Sequence, residues 1–374
     1  MGHEDLPHWL PAEARTLFEE TRRLALDELG GLAPPAPGRV NRPLVKALGD
    51  SGVLSRVFPD DGHVSAVTLC LLREALAGGS AEAENAFALQ GLGCYPIVLS
   101  GADELRARWI PGVARGEVVA GFALTEPEAG TDAGALRLTA EEAAGGYRLS
   151  GTKKWISNAP EADVYSLFAR TSDEGARGVT AFVVPGDSEG LTGSALDLLS
   201  PHAIGTLELD GVFVPGHHVL GDVDAGFAVA MRTLDLFRPS VGAAAVGMAQ
   251  TAVDAAVAHA GERRSMGKAL REFQAVSHQL AEAAARTKAA RLLVYDAAAT
   301  YDAGERVTKA AAIAKLYATE TAQWVIDAAL QVHGAAGLEK GHLLEHLYRD
   351  VRATRIYEGT SEIQREIIAR ELYR

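Results

Sequence analysis

The sequence predicts an α+β protein of three parts: an N-terminal helical domain, a middle β-barrel or β-sandwich domain and a C-terminal four-helix bundle. Three observations carry that expectation. Apolar residues recur at helical spacing through the first third, short β-branched and aromatic runs separated by Gly, Asp or Pro fill the middle, and the last third is alanine-rich with helical periodicity over long stretches. The changes of texture set expected domain bounds of 1–118, 119–224 and 225–374.

In chain order, residues 12–29, 65–77 and 81–99 place apolar side chains between charged ones at helical spacing, and Pro34-Pro35-Ala36-Pro37-Gly38 separates the first helix from the next. Strand-like runs follow at 118–122, 147–150, 164–169 and 179–184. After Gly226, helices are expected near 227–261, 271–303 and 307–333, with Gly261, Gly304 and Gly334 as their ends. Alanine-heavy faces let helices approach closely, and a bundle with such faces often buries them against a second copy of itself.

Composition narrows the function classes. The 374 residues are 48% hydrophobic and 23% charged, ordinary for a soluble protein with sizeable cores. A formal net charge of -13 with no long Lys/Arg cluster excludes a nucleic-acid binder, because phosphate neutralisation needs a basic face. Cys70 and Cys94 sit in apolar runs without paired spacing, which argues against a disulfide framework or thiolate metal site and fits a reducing cytoplasm. The segment 1–10 lacks a basic stretch followed by an apolar one, and no uncharged run approaches spanning length, so neither targeting nor a membrane is expected.

Two segments point to chemistry. Ala123-Leu124-Thr125-Glu126-Pro127-Glu128-Ala129-Gly130-Thr131-Asp132 follows a strand with small residues, whose exposed N–H groups and hydroxyl can approach the polar rim of a planar cofactor; a plain turn between strands reads the same way. In Gly151-Thr152-Lys153-Lys154-Trp155-Ile156-Ser157-Asn158 an indole and a hydroxyl lie two apart, hence on one strand face, although a strand Trp is more often core. Far downstream, Glu358 in Arg355-Ile356-Tyr357-Glu358-Gly359-Thr360 reads by itself as a loop carboxylate beside a helix cap.

Taken with Phe237-Arg238-Pro239, Glu262-Arg263-Arg264-Ser265-Met266-Gly267, Phe273-Gln274 and Gln331-Val332-His333-Gly334, these runs resemble the acyl-CoA dehydrogenase family in order and separation, over roughly residues 60–374. The resemblance implies FAD, with Phe122, Leu124, Thr125, Gly130 and Thr131 around its ring and pyrophosphate, Trp155 shielding the ring and Ser157 near its N5. It implies that Arg263, Ser265, Gln331 and Gly334 hold the adenine half of a neighbouring subunit's FAD, hence at least a homodimer, and that Thr360 also belongs to the cofactor site. Met266 and Ala335 depart from the aromatic and the second glycine usual there, which weakens the adenine contacts. Glu358 would remove the α-proton of an acyl thioester while the β-hydride passes to the flavin. Relatives that carry the base on a helix place it at the position of Phe237, which leaves Glu358 alone. Asp235, Arg238, Arg306 and Gly359 would lie along the thioester and its carrier arm, although a surface ion pair or helix-end charge explains the charged three equally well.

The implied substrate is an acyl-CoA or acyl-carrier-protein thioester, and the implied electron acceptor an electron-transferring flavoprotein. An oxygen-using oxidase or monooxygenase of the same fold and a non-catalytic flavoprotein partner are the alternatives. The acyl group stays open, because residues 87–96 would set the pocket floor; the segment 49–64, where relatives carry a Pro-Glu-x-x-Gly-Gly loop, hints at a specialised substrate. His342, Glu345 and His346 spell an inverted zinc-peptidase pattern but lack a third ligand, and Gly91-Leu92-Gly93 lacks the strand context of a dinucleotide fingerprint.

Overall fold

In a computed structural model the protein is described at residues 6–32, 36, 38–59, 62–200 and 202–374. Most of the proline-rich break at 34–38, the start of the N-terminal segment and residues 60–61 of the segment 49–64 lie outside the described residues. The elements are α1 (Ala12–Leu24, continued as a π-helix over Ala25–Leu29), α2 (Arg42–Asp50), α3 (Ala66–Ala77), α4 (Ala81–Ser100) and α5 (Asp103–Ala114). Then come β1 (Ala120–Ala123), β2 (Thr139–Ala143), β3 (Gly146–Ser157), β4 (Val164–Arg170), β5 (Val179–Pro185), β6 (Leu191–Ala195) and β7 (Ile204–Pro215). The chain ends in α6 (Gly226–Glu262), the small hairpin β8 (Arg264–Ser265) and β9 (Lys268–Ala269), α7 (Gln274–Asp302), α8 (Thr308–His333), α9 (Leu343–Thr354) and α10 (Ser361–Leu372). N-terminal helices, a middle β half-barrel and C-terminal helices are thus the architecture.

By contact density the chain divides into two units, one of Met1–Gly30, Ser65–Glu84 and Asp235–Arg374, the other of Gly31–Val64 and Asn85–Leu234. The first is helical. Its core is mostly alanine and small aliphatics, including Ala245, Ala249, Ala252, Ala322, Val325 and Ala329, which lets α6 and α8 pack closely. Asp302, at the end of α7, accepts from the N–H groups of Ala66 (2.6 Å) and Val67 (3.1 Å), and so satisfies two first-turn donors of α3 that the helix cannot. Burial of Arg73 with Glu84 (2.6 Å) and of Arg291 with Glu74 (2.7 Å) places two ion pairs inside this unit. The most apolar window of α6 has the length and composition of a membrane span, but 67% of it is buried inside the protein, the ordinary situation of a core helix.

The second unit is a seven-stranded sheet flanked by helices. Its order is β1-β4-β2-β3-β7-β6, with β5 paired to β4. The β1–β4 pair is parallel, while β2–β3, β3–β7, β4–β5 and β6–β7 are antiparallel. Strands β4 and β5 are buried on both faces, which is why they read as continuous apolar runs. Strands β2, β6 and β7, and helices α2 and α5, were not legible. Thr139–Ala143 is charged and exposed on one face, and Leu191–Ala195 is a largely exposed strand of small and polar residues.

Where α2 meets the end of α5, backbone approaches backbone. A Cβ on Gly49 would lie 2.1 Å from the Arg115 carbonyl oxygen, and one on Gly116, itself at φ +66°, would lie 2.2 Å from the Val45 carbonyl. Gly49→Ala is therefore expected to destabilise the protein by about 1–3 kcal/mol, because rigid main chain must move. A thermal denaturation midpoint equal to that of the parent protein would contradict this packing.

Candidate active site

Glu358 is held on a turn that its own backbone resists. It sits at φ +54°, a left-handed conformation costing a non-glycine residue on the order of 1 kcal/mol or more, and Gly359 follows at φ +93°. Thr360 is the N-cap of α10 and accepts from Ile363 N at 3.4 Å. Neighbouring side chains clamp the turn through its carbonyls. The Arg238 guanidinium donates to Glu358 O (3.3 Å), Lys315 Nζ to Gly359 O (2.7 Å), and Gln364 Nε2 to both (3.2 and 2.9 Å). On the flanks, Glu320 takes Arg355 (2.9 Å) and the Ser361 hydroxyl (2.6 Å).

The carboxylate makes no hydrogen bond among the described residues. Glu358 is half-buried, and its Oε2 is shielded from solvent with no hydrogen-bond partner among the described residues. Burial pushes its carboxyl above the usual range; Arg73, Lys315 and Arg238 oppose the rise, and Glu84 adds to it. A carboxylate made more basic by desolvation, free of hydrogen bonds and fixed by its backbone is what a general base for a weak carbon acid requires. None of the hydrogen bonds among the described residues uses the Glu358 N–H.

The other implied substrate residues of this unit gather near the turn, with different fates. Asp235 and Arg238 pair at 3.4 Å, and Thr308 donates to Asp235 at 3.3 Å. Arg306 is half-exposed and engaged with Glu371 at 2.8 Å. Phe237 is fully buried. At the far end of α6 and α8, His259 stacks on His333 at 4.2 Å, which brings the segment of Arg263 and Ser265 near that of Gln331 and Gly334. All four of those residues are exposed, as is Met266 at the hairpin tip, at 91%. The inverted zinc pattern is otherwise employed: His342 caps α9 by accepting from Leu344 N, Glu345 pairs with Arg349 (2.7 Å) and His346 with Asp350 (3.1 Å).

In the sheet unit, the two signature runs form one surface. Lys153, fully buried, donates to Leu124 O (2.9 Å) and Glu126 Oε1 (2.8 Å), Lys154 N donates to Thr125 O (3.0 Å), and Asn158 Nδ2 donates to Ala120 O (2.8 Å). Glu126 in turn accepts from Arg137 N (2.6 Å) and Leu138 N (3.0 Å), closing the loop that contains Gly130 and Thr131. Burial lowers the Lys153 ammonium to about 8, against the opposing pull of Glu126.

This surface fits a flavin. Strand β3 slips register between Lys154 and Ile156, and Trp155 at the slip has φ +57° with 45% of its area exposed. A strained backbone that presents an indole plane to the outside suits a flat ring stacked upon it. Thr125 and Ser157 are partly exposed beside it, and a Cβ on Gly130 would meet only Thr125 Cγ2, at 3.9 Å, so main chain there is open to a cofactor's polar groups. Phe122 packs on Phe168 at 5.0 Å with part of its area exposed, whereas Leu124 is buried.

Sequence reasoning missed Arg73, Glu84, Lys315 and Gln364 around the turn, and the pairing of Lys153 with Glu126. The one available signal was a charged residue inside an otherwise apolar helical or strand pattern.

Comparison with known proteins places these surfaces in context. Three family models match in series: acyl-CoA dehydrogenase N-terminal domain over residues 11–117, middle domain over 121–212 and C-terminal domain over 224–373. The chain is 35% identical over 369 residues to cyclohexane-1-carbonyl-CoA dehydrogenase of Geobacter metallireducens, covering 96% of this chain and 97% of that one. It is 38% identical over 282 residues to the CarC subunit of the caffeyl-CoA reductase-Etf complex of Acetobacterium woodii, covering 73% of each. Among solved structures, one described as PigA with FAD and proline superposes with a TM-score of 0.91 at 26% identity, covering 98% of this chain and 99% of that one.

Proposed function

The chain belongs to the acyl-CoA dehydrogenase family, and from that premise we propose that it catalyses FAD-dependent α,β-dehydrogenation of an acyl thioester with Glu358 as the base. The observation that carries the reading is the Glu358 carboxylate: shielded, without a hydrogen-bond partner among the described residues, raised by burial, and mounted on a turn fixed by Arg238, Lys315 and Gln364. Relatives at this identity include an acyl-CoA dehydrogenase acting on a ring carboxylic thioester, and family members use FAD.

In the proposed reaction, the unengaged N–H of Glu358 donates to the thioester carbonyl oxygen and acidifies the α-carbon. The carboxylate then removes the α-proton and holds it on a carboxyl oxygen, while the arginines and Lys315 limit how far its basicity rises. FAD, when bound, supplies the acceptor for the hydride leaving the β-carbon. Phe122, Leu124, Thr125, Gly130, Thr131, Trp155 and Ser157 would hold its ring and pyrophosphate, and Thr360 would assist. The exposed Arg263, Ser265, Gln331 and Gly334 would serve the adenine half of a second subunit's FAD, in a homodimer or homotetramer. Asp235, Arg238 and Gly359 would line the thioester arm; Arg306 would have to leave Glu371 to reach a CoA phosphate. The reading extends to a cytoplasmic enzyme that passes electrons to an electron-transferring flavoprotein, as the Etf-complex relative suggests, and to domain bounds of 1–118, 119–224 and 225–374.

Anaerobic mixing of the flavin-loaded protein with a panel of acyl-CoA and acyl-carrier thioesters tests it: one class should bleach the flavin. No bleaching by any thioester would defeat the proposal. The acid limb of kcat/KM should also have a midpoint above the ordinary glutamate value of about 4.3, because the active form is the carboxylate and burial raises its pKa. Activity would thus rise with pH through that midpoint, and a limb at or below the ordinary value would count against Glu358.

A further inference from the structure

Three buried cations surround Glu358, and they are not equivalent. Arg73 on α3 is paired with Glu84 at 2.6 Å and donates to the Ser240 hydroxyl at 2.8 Å. Arg238 on α6 has Asp235 at 3.4 Å. Lys315, near the start of α8 and 0% exposed, forms no ion pair among the described residues, and its ammonium donates to a backbone carbonyl, Gly359 O. A buried ammonium without a carboxylate partner is costly unless something nearby uses its charge.

We propose that Lys315 is a positioning residue for Glu358, locking the left-handed turn through Gly359 O and directing onto the adjacent carboxylate a charge that forms no ion pair with another acid among the described residues. The inference rests on the reading of Glu358 as the base and adds to it a source for the base's geometry and charge. Without the 2.7 Å bond, Gln364 is the one donor left to Gly359 O among the described residues, and the turn can relax toward the right-handed backbone that Glu358 would prefer.

The groups that act on the pair are few. Glu358 feels Arg73 from α3, Glu84 from α4, Arg238 from α6 and Lys315 from α8. Lys315, lowered to about 8 by burial, is pulled back up by Glu358, Glu320 and Glu362 and pushed down by Arg238. Burial raises the Glu358 carboxyl, Arg73, Lys315 and Arg238 oppose the rise in that order and Glu84 adds to it least, so loss of the Lys315 charge removes one of three restraints and should raise the Glu358 pKa further.

The test compares flavin-loaded wild-type protein with Lys315→Met, Lys315→Gln and Lys315→Arg. Infrared difference spectroscopy follows the pH titration of the Glu358 carboxyl, with Glu358→Gln as the blank, and anaerobic bleaching follows the rate. Both neutral variants should move the carboxyl midpoint upward by about one pH unit or more, while Lys315→Arg leaves it near the wild-type position. All three should slow bleaching by about 10²-fold, through misplacement of the turn. A neutral variant that folds, binds FAD and titrates Glu358 at the wild-type midpoint would overturn the proposal, whatever its rate; if Lys315→Met does not fold, Lys315→Gln, which keeps a donor, carries the test. Failure of the dehydrogenase reading looks different: the wild-type flavin is bleached by no thioester, yet the carboxyl titration still reports whether Lys315 governs Glu358.

Discussion

Replacing Glu358 by Gln should abolish turnover while leaving the protein and its flavin intact. The amide matches the carboxylate in shape but cannot accept the α-proton, and removal of a positioned general base costs up to about 10⁴-fold in rate. The fold has little to lose, because the side chain's Oε2 has no hydrogen-bond partner among the described residues and the turn is held by carbonyls rather than by the carboxylate. Arg73 and Arg238 keep Glu84 and Asp235. The measurement is the rate of anaerobic flavin bleaching, beside the flavin-to-protein ratio and the thermal midpoint. Bleaching at the wild-type rate would place the base elsewhere.

The second large effect is expected at Lys153→Met, and it falls on stability and cofactor retention together. Lys153 is fully buried and joins Glu126 and the Leu124 carbonyl. Its removal leaves a buried carboxylate with two backbone N–H donors, those of Arg137 and Leu138, among the described residues, a loss of about 3–5 kcal/mol for breaking one side of such a pair. At roughly 1–2 °C per kcal/mol for a chain of this length the midpoint should fall by about 5 °C, and FAD should be lost on gel filtration. Lys154→Met, one residue along on a partly exposed side chain, is the control and should shift stability by less than about 0.5 kcal/mol. Equal behaviour of the two variants would contradict the cross-tie between the loop and the strand.

Much of this was legible in the sequence where pattern and chemistry agree. The long helices of the last third were visible because alanine-rich faces repeat over many turns, and β4 and β5 because strands buried on both faces are uniformly apolar. Strand β2 was hidden because its Thr-Ala-Glu-Glu-Ala run is exposed on one face and has the composition of a helix. In the candidate site, Glu358, Trp155 and Thr125 stood inside motifs, and their segments could be picked out by resemblance. Lys315 and Arg73 could not be assigned, because a cation in an apolar helix signals that something is buried with it but not what it serves; that comes from Gly359 and Glu84, which only the folded chain brings to it. Likewise, nothing in the string marks Trp155 and Glu358 as left-handed, since that strain is imposed by tertiary bonds.

The ties between residues 120–126 and 153–158 have a practical corollary for engineering. Lys153, Lys154 and Asn158 anchor to Leu124, Glu126, Thr125 and Ala120, so the two stretches behave as a single inherited cassette. A library that shuffles either stretch alone would strand a charge in the interior, whereas exchanging both as a block preserves the scaffold on which new ring specificities could be selected.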